Sequence, residues 1–288
     1  MTSPASFAIH PLPVVGPLRE YCKLLVAVDV PAHPNVELTV LPHGSYVFSL
    51  MFAAGADPFA RRTERGSLPH LCGLRRGSNA YRPLGDCRTF YAQLTPDAGL
   101  LLAGQALPDA TDPRVPLWQL GGQAALARLE DAMAMQPDVQ GQLLALGCWL
   151  EDRIRVGSVA EQARRATRVA ARIAASPVES IEAIARTECM SRRQIERDFR
   201  SWLHVSPKHV AQVARTQAAM RLGLAGVPLA EAAHALGFAD QSHMTHSVKK
   251  LARIAPAQLV RRARTDFNRP LSGLPGTGLV YLGTPMPA

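Results

Sequence analysis

Apolar positions divide the chain into two textures. Up to about residue 120, short apolar runs alternate with Gly, Pro and Asp, and Leu24–Val30, Val36–Leu41, Tyr46–Phe52 and Thr89–Leu94 each read as a strand. They are bounded by Pro42-His43-Gly44, Pro69 and Pro83-Leu84-Gly85. Proline lacks the ladder N–H and glycine is conformationally loose, so these residues end strands. Many short strands without alternating helices predict an all-β barrel or sandwich. Pro96–Leu102 predicts a turn or one short helix. From Gln123 the texture becomes Ala/Leu-rich with a helical period. Ala124–Met135 and Val139–Arg155 predict two helices separated by Pro137. In the second, Leu143, Leu146, Leu150 and Ile154 form one stripe with Trp149 beside it. Such a stripe fits either the core of this chain or a partner helix in a dimer. Everything from Ser158 to about Phe267 reads as helical. Residues 268–288 are rich in Pro and Gly, which predicts a flexible tail with Leu279–Leu282 as its one candidate strand.

The helical half repeats itself with a period of 48–49 residues. Ile181 matches Leu229, Ala185 matches Ala233 and Met190 matches Phe238; after one inserted residue, Ile195 matches Met244, Phe199 matches Val248, Val205 matches Ile254, Pro207 matches Pro256 and Arg215 matches Arg264. The matched positions are mostly apolar, as two copies of one packing unit require, while the surface positions differ. Each copy reads as helix, tight turn, helix. Ser191-Arg-Arg-Gln194 is a capping box opening the second helix of the first copy, and Asp240 is the N-cap in the second copy. The small Ala185 and Ala233 permit the close helix crossing of a helix-turn-helix. With Ile195 and Phe199 inward, Arg192, Arg193, Glu196, Arg197 and Arg200 occupy the outer arc of one second helix. With Met244 and Val248 inward, Gln241, Ser242, Thr245, His246 and Lys249 occupy that of the other. Arg bridges guanine O6 and N7, Glu accepts from cytosine N4 and Gln suits adenine, so both arcs carry base-reading chemistry. Phosphate contact is the alternative at each position. Arg193, Arg197 and Gln241 are the best candidates for base contact.

Charge sharpens this picture. The net +9 is unevenly placed: residues 1–157 hold 13 Lys+Arg against 14 Asp+Glu, and residues 158–288 hold 19 against 9. A basic excess confined to the repeat half is the footprint of a polyanion partner. Aromatic content is 6%, and no interleaved aromatic platform for stacking single strands occurs, which favours duplex DNA over RNA. Cys22, Cys72, Cys87, Cys148 and Cys189 are odd in number and dispersed, so buried free thiols in a reducing cytoplasm are expected rather than a disulfide framework or zinc site. No run of 18 uncharged apolar residues exists to span a membrane, and the prolines near the N-terminus do not suit a secretion signal.

Ala233-x-x-Leu236-Gly237-Phe238-Ala239-Asp240-Gln241-Ser242-His243, followed by Lys249 and Pro256, resembles the signature of AraC/XylS-type transcription regulators. Ile184-Ala185 through Ser191, Ile195, Arg197, Phe199 and Val205-Ser206-Pro207 resembles the first motif of that family. The resemblance covers about residues 165–265. It implies two helix-turn-helix units joined by one long helix, about Pro207–Leu224, reading successive major grooves of B-DNA. The implied base-facing set is Arg193, Glu196 and Arg197 with Gln241, Ser242 and His246. Departures from the family pattern are Cys189, His204 and Arg253 where Gly is usual, Asp198 at an often apolar position, Val248 for Phe and His246 for Arg. Leu41–Phe48, Tyr91–Gly99 and Val115–Gly121 resemble, more loosely, the β-barrel sensor domains of some members, which implies effector binding, dimerisation or both.

The expected fold class is α+β: a β-rich, cupin-like sensor domain over residues 1–122, a helical linker over 123–157 that is a candidate for dimerisation, an all-α double helix-turn-helix domain over 158–267, and the tail over 268–288. The expected function is that of a cytoplasmic, sequence-specific DNA-binding regulator. Duplex DNA, a small-molecule effector, RNA polymerase and a second copy of the chain are its candidate partners, and no cofactor or metal is expected. The competing reading is a cupin-like enzyme or small-molecule-binding protein with a degenerate nucleic-acid-binding domain. His33, His43 and His70 are isolated, and no H-x-H with a downstream Glu, H-E-x-x-H, G-x-S-x-G, P-loop or dinucleotide fingerprint supports catalysis. His243 and His246, spaced i, i+3, would be a metal pair only if they were not surface residues of a recognition helix.

Overall fold

A computed structural model describes residues 7–30, 36–53, 69–82, 87–107, 114–117, 123–265, 268 and 281–285. The four expected strands are found as β2 (Cys22–Val30), β3 (Val36–Val40), β4 (Tyr46–Ala53) and β7 (Cys87–Leu94), and they are joined by β1 (Ala8–Leu12), β5 (His70–Cys72), β6 (Asn79–Tyr81), β8 (Arg114–Pro116) and β9 (Tyr281–Pro285). Antiparallel pairing builds a six-stranded sheet in the order β1-β2-β7-β4-β5-β8 and a three-stranded sheet β6-β3-β9. Among the described residues both sheets are open rather than closed into a barrel. The outer strands β1 and β8 contain Pro11 and Pro116, and a missing N–H is tolerated at an edge. In β2, Leu24, Leu25, Val26 and Ala27 are consecutively buried, so this part of the sheet is covered on both faces.

Helices α1 (Pro96–Ala103), α2 (Gln123–Ala134) and α3 (Val139–Val156) follow. The Thr95 hydroxyl accepts from the Ala98 N–H at the start of α1. Gly99 lies so close to the Tyr46 ring that an added Cβ would overlap Tyr46 Cγ. On α3, Leu143, Leu146, Leu150 and Ile154 are all buried, with Gly147 facing Leu25 and Leu18, and Trp149 rests against Phe48 while donating to the Ala125 carbonyl. The stripe therefore belongs to this chain's own core.

That core does not stop at the expected boundary near residue 158. It continues through α4 (Glu161–Ala175), whose Ala163, Ala166, Val169, Ala170 and Ile173 are buried, into α5 (Ile181–Thr187) and α6 (Arg192–Trp202). Thr167 on α4 donates to the Asp97 carboxylate on α1 across the same junction. A second apolar cluster is formed by α7 (Pro207–Leu224), α8 (Leu229–Ala235), α9 (Gln241–Ala252) and α10 (Pro256–Ala263), and it takes in Leu41 and Leu282. Strand β9, inside the stretch expected to be flexible, pairs with all of β3 from Val36↔Pro285 to Val40↔Tyr281. Buried Asn268 clamps it, its amide donating to the Gly283 carbonyl and its Oδ1 accepting from the Gly283 N–H.

Cys22, Cys72 and Cys87 are buried as expected, but Cys148 and Cys189 are exposed. Burial pushes the Cys22 thiol up to about 12. His33 lies outside the described residues.

Candidate nucleic-acid interface

The repeat is visible in three dimensions as two helix–turn–helix units, α5–α6 and α8–α9. Both turns close in the same way: the Met190 N–H donates to the Ala185 carbonyl and the Phe238 N–H to the Ala233 carbonyl, at 2.9 and 3.0 Å. This six-to-one bond needs a left-handed residue just before its donor. Gly237 supplies it in the second unit with φ 68°, and Cys189 supplies it in the first with φ 51°. The second helix of each unit is capped from its own sequence, Ser191 Oγ accepting from the Gln194 N–H and Asp240 Oδ1 from the His243 N–H. Each also ends in a left-handed residue, His204 with φ 54° and Arg253 with φ 61°. Thus three departures from glycine in the sequence are the three non-glycine residues of positive φ among those described.

The units are anchored by a buried polar tether at matching positions. Asp198 on α6, 2% exposed, receives two hydrogen bonds of 2.8 and 3.0 Å from Arg165 on α4. Ser247 on α9 receives one of 3.1 Å from Gln212 on α7. Helix α4 therefore holds the first unit as α7 holds the second, and Asp198 tolerates a position otherwise suited to an apolar residue because its charge is paired. The matched arginines diverge: Arg215 stacks over Phe238 at 5.3 Å, whereas Arg264 donates to the carbonyls of Gly223 and Leu224 at the end of α7.

On α6 the inward Ile195 and Phe199 are fully buried, and Arg192, Arg193, Arg197 and Arg200 are exposed with Glu196 half-buried. Arg192 bonds Glu196 at 2.9 Å and Glu182 at 2.7 Å, and this pairing, with Glu196 first, raises its pKa. Arg192, Glu196 and Arg200 line one side of a cleft of about 430 Å³ with Arg76, His204 and Lys208. Arg193 and Arg197 lie outside that lining, and Arg197 keeps 71% of its side-chain surface exposed. On α9 the inward Met244 and Val248 are fully buried, Gln241, Ser242, His246 and Lys249 are exposed, and Thr245 is half-buried. His243 is committed locally, its Nδ1 accepting from the Ala239 N–H and its ring meeting Phe238 edge-on. No cluster of three or more metal-ligating side chains occurs among the described residues. Exposed Lys250 adds a cation to this arc that the helical projection alone left out.

Cations also gather where the two halves meet. The Gln217 amide on α7 donates to the Pro42 carbonyl at 2.7 Å, which seats His43 beneath the helix. His43 is 4% exposed, and among the described residues neither ring nitrogen has a hydrogen-bond partner. Burial first, and then the charges of Arg75 and Lys23, push its pKa down to about 3, so the ring is neutral. Desolvation, and secondarily the charge of Arg221 on α7, lowers the pKa of Lys23.

Residues 184–262 match the family described as "Helix-turn-helix domain". That span opens within α5 and closes within α10, so it takes in both units, and the C-terminal part of the chain is a helix-turn-helix domain of the AraC type. Comparison with curated proteins found no match. Among solved structures, the chain is similar to ToxT from Vibrio cholerae O395, at 10% identity over 89% of this chain and 97% of that one, with a TM-score of 0.45. The same figures but for 99% of that chain hold for ToxT bound to (E)-4-(8-methylnaphthalen-1-yl)but-3-enoic acid. For unsaturated fatty acid-bound ToxT from Vibrio cholerae strain SCE256, identity is 11% over 90% and 97%, with a TM-score of 0.40. No described helix is long and apolar enough to cross a membrane.

Proposed function

We propose that this protein is a sequence-specific regulator of transcription that reads duplex DNA with α6 and α9 in successive major grooves. The observation that carries the reading is the duplicated unit itself: two capped helices, each buried on one side and lined on the other with donors suited to base edges. Arg193 and Arg197 read from the first helix, and Gln241, Ser242 and His246 from the second. Arg192, Arg200, Lys249 and Lys250 hold phosphates, and Glu196 sets the geometry of Arg192. The N-terminal half supplies the modulation as a sensor domain for a small-molecule effector.

Selection from random duplexes by the full chain tests this. A preferred site is expected, bound with strong salt dependence because phosphate contacts release counterions. Arg197→Ala and Gln241→Ala should each cost about 1–3 kcal/mol of discrimination between the preferred site and random duplex. Equal losses on every sequence would assign them to phosphate, and binding to RNA but not to duplex DNA would overturn the reading.

A further inference from the structure

One loop of the N-terminal half, between β5 and β6, holds the ends of both recognition helices. Arg76 donates from Nη2 and Nε to the His204 carbonyl at 2.9 and 3.3 Å. The Arg75 carbonyl accepts from His209 Nε2 on the first turn of α7 at 3.0 Å. Burial lowers the His209 pKa, the bond to the Arg75 carbonyl opposes this, and the charge of Arg76 adds to it. Two residues along, the Ser78 N–H donates to the Leu251 carbonyl at 3.2 Å and its hydroxyl to the Ala252 carbonyl at 3.0 Å. His204 follows α6 and Leu251–Ala252 close α9, immediately before Arg253. The loop thus grips the same place in both copies of the repeat, the left-handed exit from the second helix.

The Leu251 and Ala252 carbonyls are ones that a helix end leaves without intrahelical partners, and the His204 carbonyl lies just past the C-cap of α6, so all three sit at the negative end of a helix dipole. A guanidinium at one end and an N–H with a hydroxyl at the other are suitable donors. The two units are joined directly through α7, their apolar interiors lie in separate clusters, and each also packs on the N-terminal half, the second through Leu41 and the Gln217–Pro42 bond. With separate interiors, the units can bend and twist about α7, and a grip on both helix exits along a different line from α7 opposes that motion.

We propose that Arg76 and Ser78 are positioning residues that fix the separation and relative rotation of α6 and α9, and so set the spacing between the two DNA elements the protein accepts. The proposal rests on the DNA-reading function above. Adjacent elements lie about 34–36 Å apart along the duplex, and each added base pair moves the second by about 3.4 Å and a tenth of a turn. A rigid pair of helices rejects that displacement, and a hinged pair follows it.

The test uses the full chain and the duplex it selects, with one base pair inserted or removed between the two elements. Wild type is expected to lose about 100-fold in affinity on the altered spacings, the loss incurred when linked sites cannot both be engaged. Arg76→Ala with Ser78→Ala should shrink that ratio to about threefold or less, since flexible linkage tolerates a wider range of spans. Arg76→Lys, which keeps the cation, should restore part of it. An equal loss on all spacings with the ratio unchanged would mean that the loop only adds stability, and would overturn the proposal. Ser78→Ala alone, which removes one hydroxyl, serves as the readout if the double variant unfolds, and an unchanged ratio there overturns the proposal too. Absence of any duplex binding by wild type would instead remove the DNA-reading function on which the proposal stands.

Discussion

The two helix–turn–helix units share a backbone and differ in what supports it. The first packs into the same apolar core as the six-stranded sheet and hangs on a buried ion pair, Arg165–Asp198. The second packs around a smaller cluster that borrows Leu41 and Leu282 from the three-stranded sheet, and its tether is the neutral Gln212–Ser247 bond. Their outward faces follow suit: four arginines on α6, and neutral polar side chains with two lysines on α9. A duplicated fold can therefore keep its turn chemistry while its anchoring and its DNA-facing chemistry diverge. The difference also means that changes in the N-terminal half reach the first unit through a large shared core, and the second through Leu41 and the hydrogen bonds of Pro42 and Ser78.

The largest test of that difference is truncation at matched core positions. Phe199→Ala should destabilise by about 4 kcal/mol and Val248→Ala by about 2, because the cost scales with the buried volume removed. Urea unfolding followed at both positions checks this, and equal effects would deny the asymmetry. The tethers come next. Asp198→Ala leaves Arg165 without its buried counter-charge, at about 3 kcal/mol, whereas Ser247→Ala should cost about 1.

Acid should loosen the second unit first. His43 has its pKa depressed to about 3 in the folded protein, against 6.5 when unfolded. The stability associated with its neutral form is complete above pH 6.5 and is lost as pH falls toward 3. Between pH 6.5 and 5 the loss should be about 2 kcal/mol. Because His43 follows Leu41 by two residues, hydrogen exchange should show α8 and α9 losing protection before α5 and α6, and His43→Leu should remove the effect. The smallest effects concern the turns. Cys189→Gly should stabilise by about 0.5–1 kcal/mol by relieving a left-handed cysteine, and Gly237→Ala should destabilise by about 1–2. Thermal melting of both variants measures the pair, and like signs would contradict the shared geometry.

Much of this architecture was legible in the chain. The 48–49-residue repeat located both turns, both N-caps and the inward residues, because packing repeats apolar positions at fixed offsets. Strands β2, β3, β4 and β7 were legible from their apolar runs. Strands β5, β6 and β8 were not: three residues carry no period, and each is held by a partner far away in sequence. Pro11 and Pro116 read as breakers because edge position is a tertiary property. Asp198 stood out as an anomaly, but Arg165, 33 residues earlier, had no local mark as its partner. The Arg76 loop lies 128 residues from His204, and Ser78 lies 174 from Ala252, beyond the reach of any local pattern.

The pairing of β3 with β9 fixes an order of events in the life of the chain. Val36 emerges during synthesis long before Pro285, its partner. At about 5–20 residues per second, the first strand waits for some tens of seconds. Both recognition helices are complete in that interval, while the second unit still lacks Leu282 from its core. The nascent chain thus passes through a stage in which its first unit has all the residues of its core and its second does not, and the C-terminal strand is the last part to join.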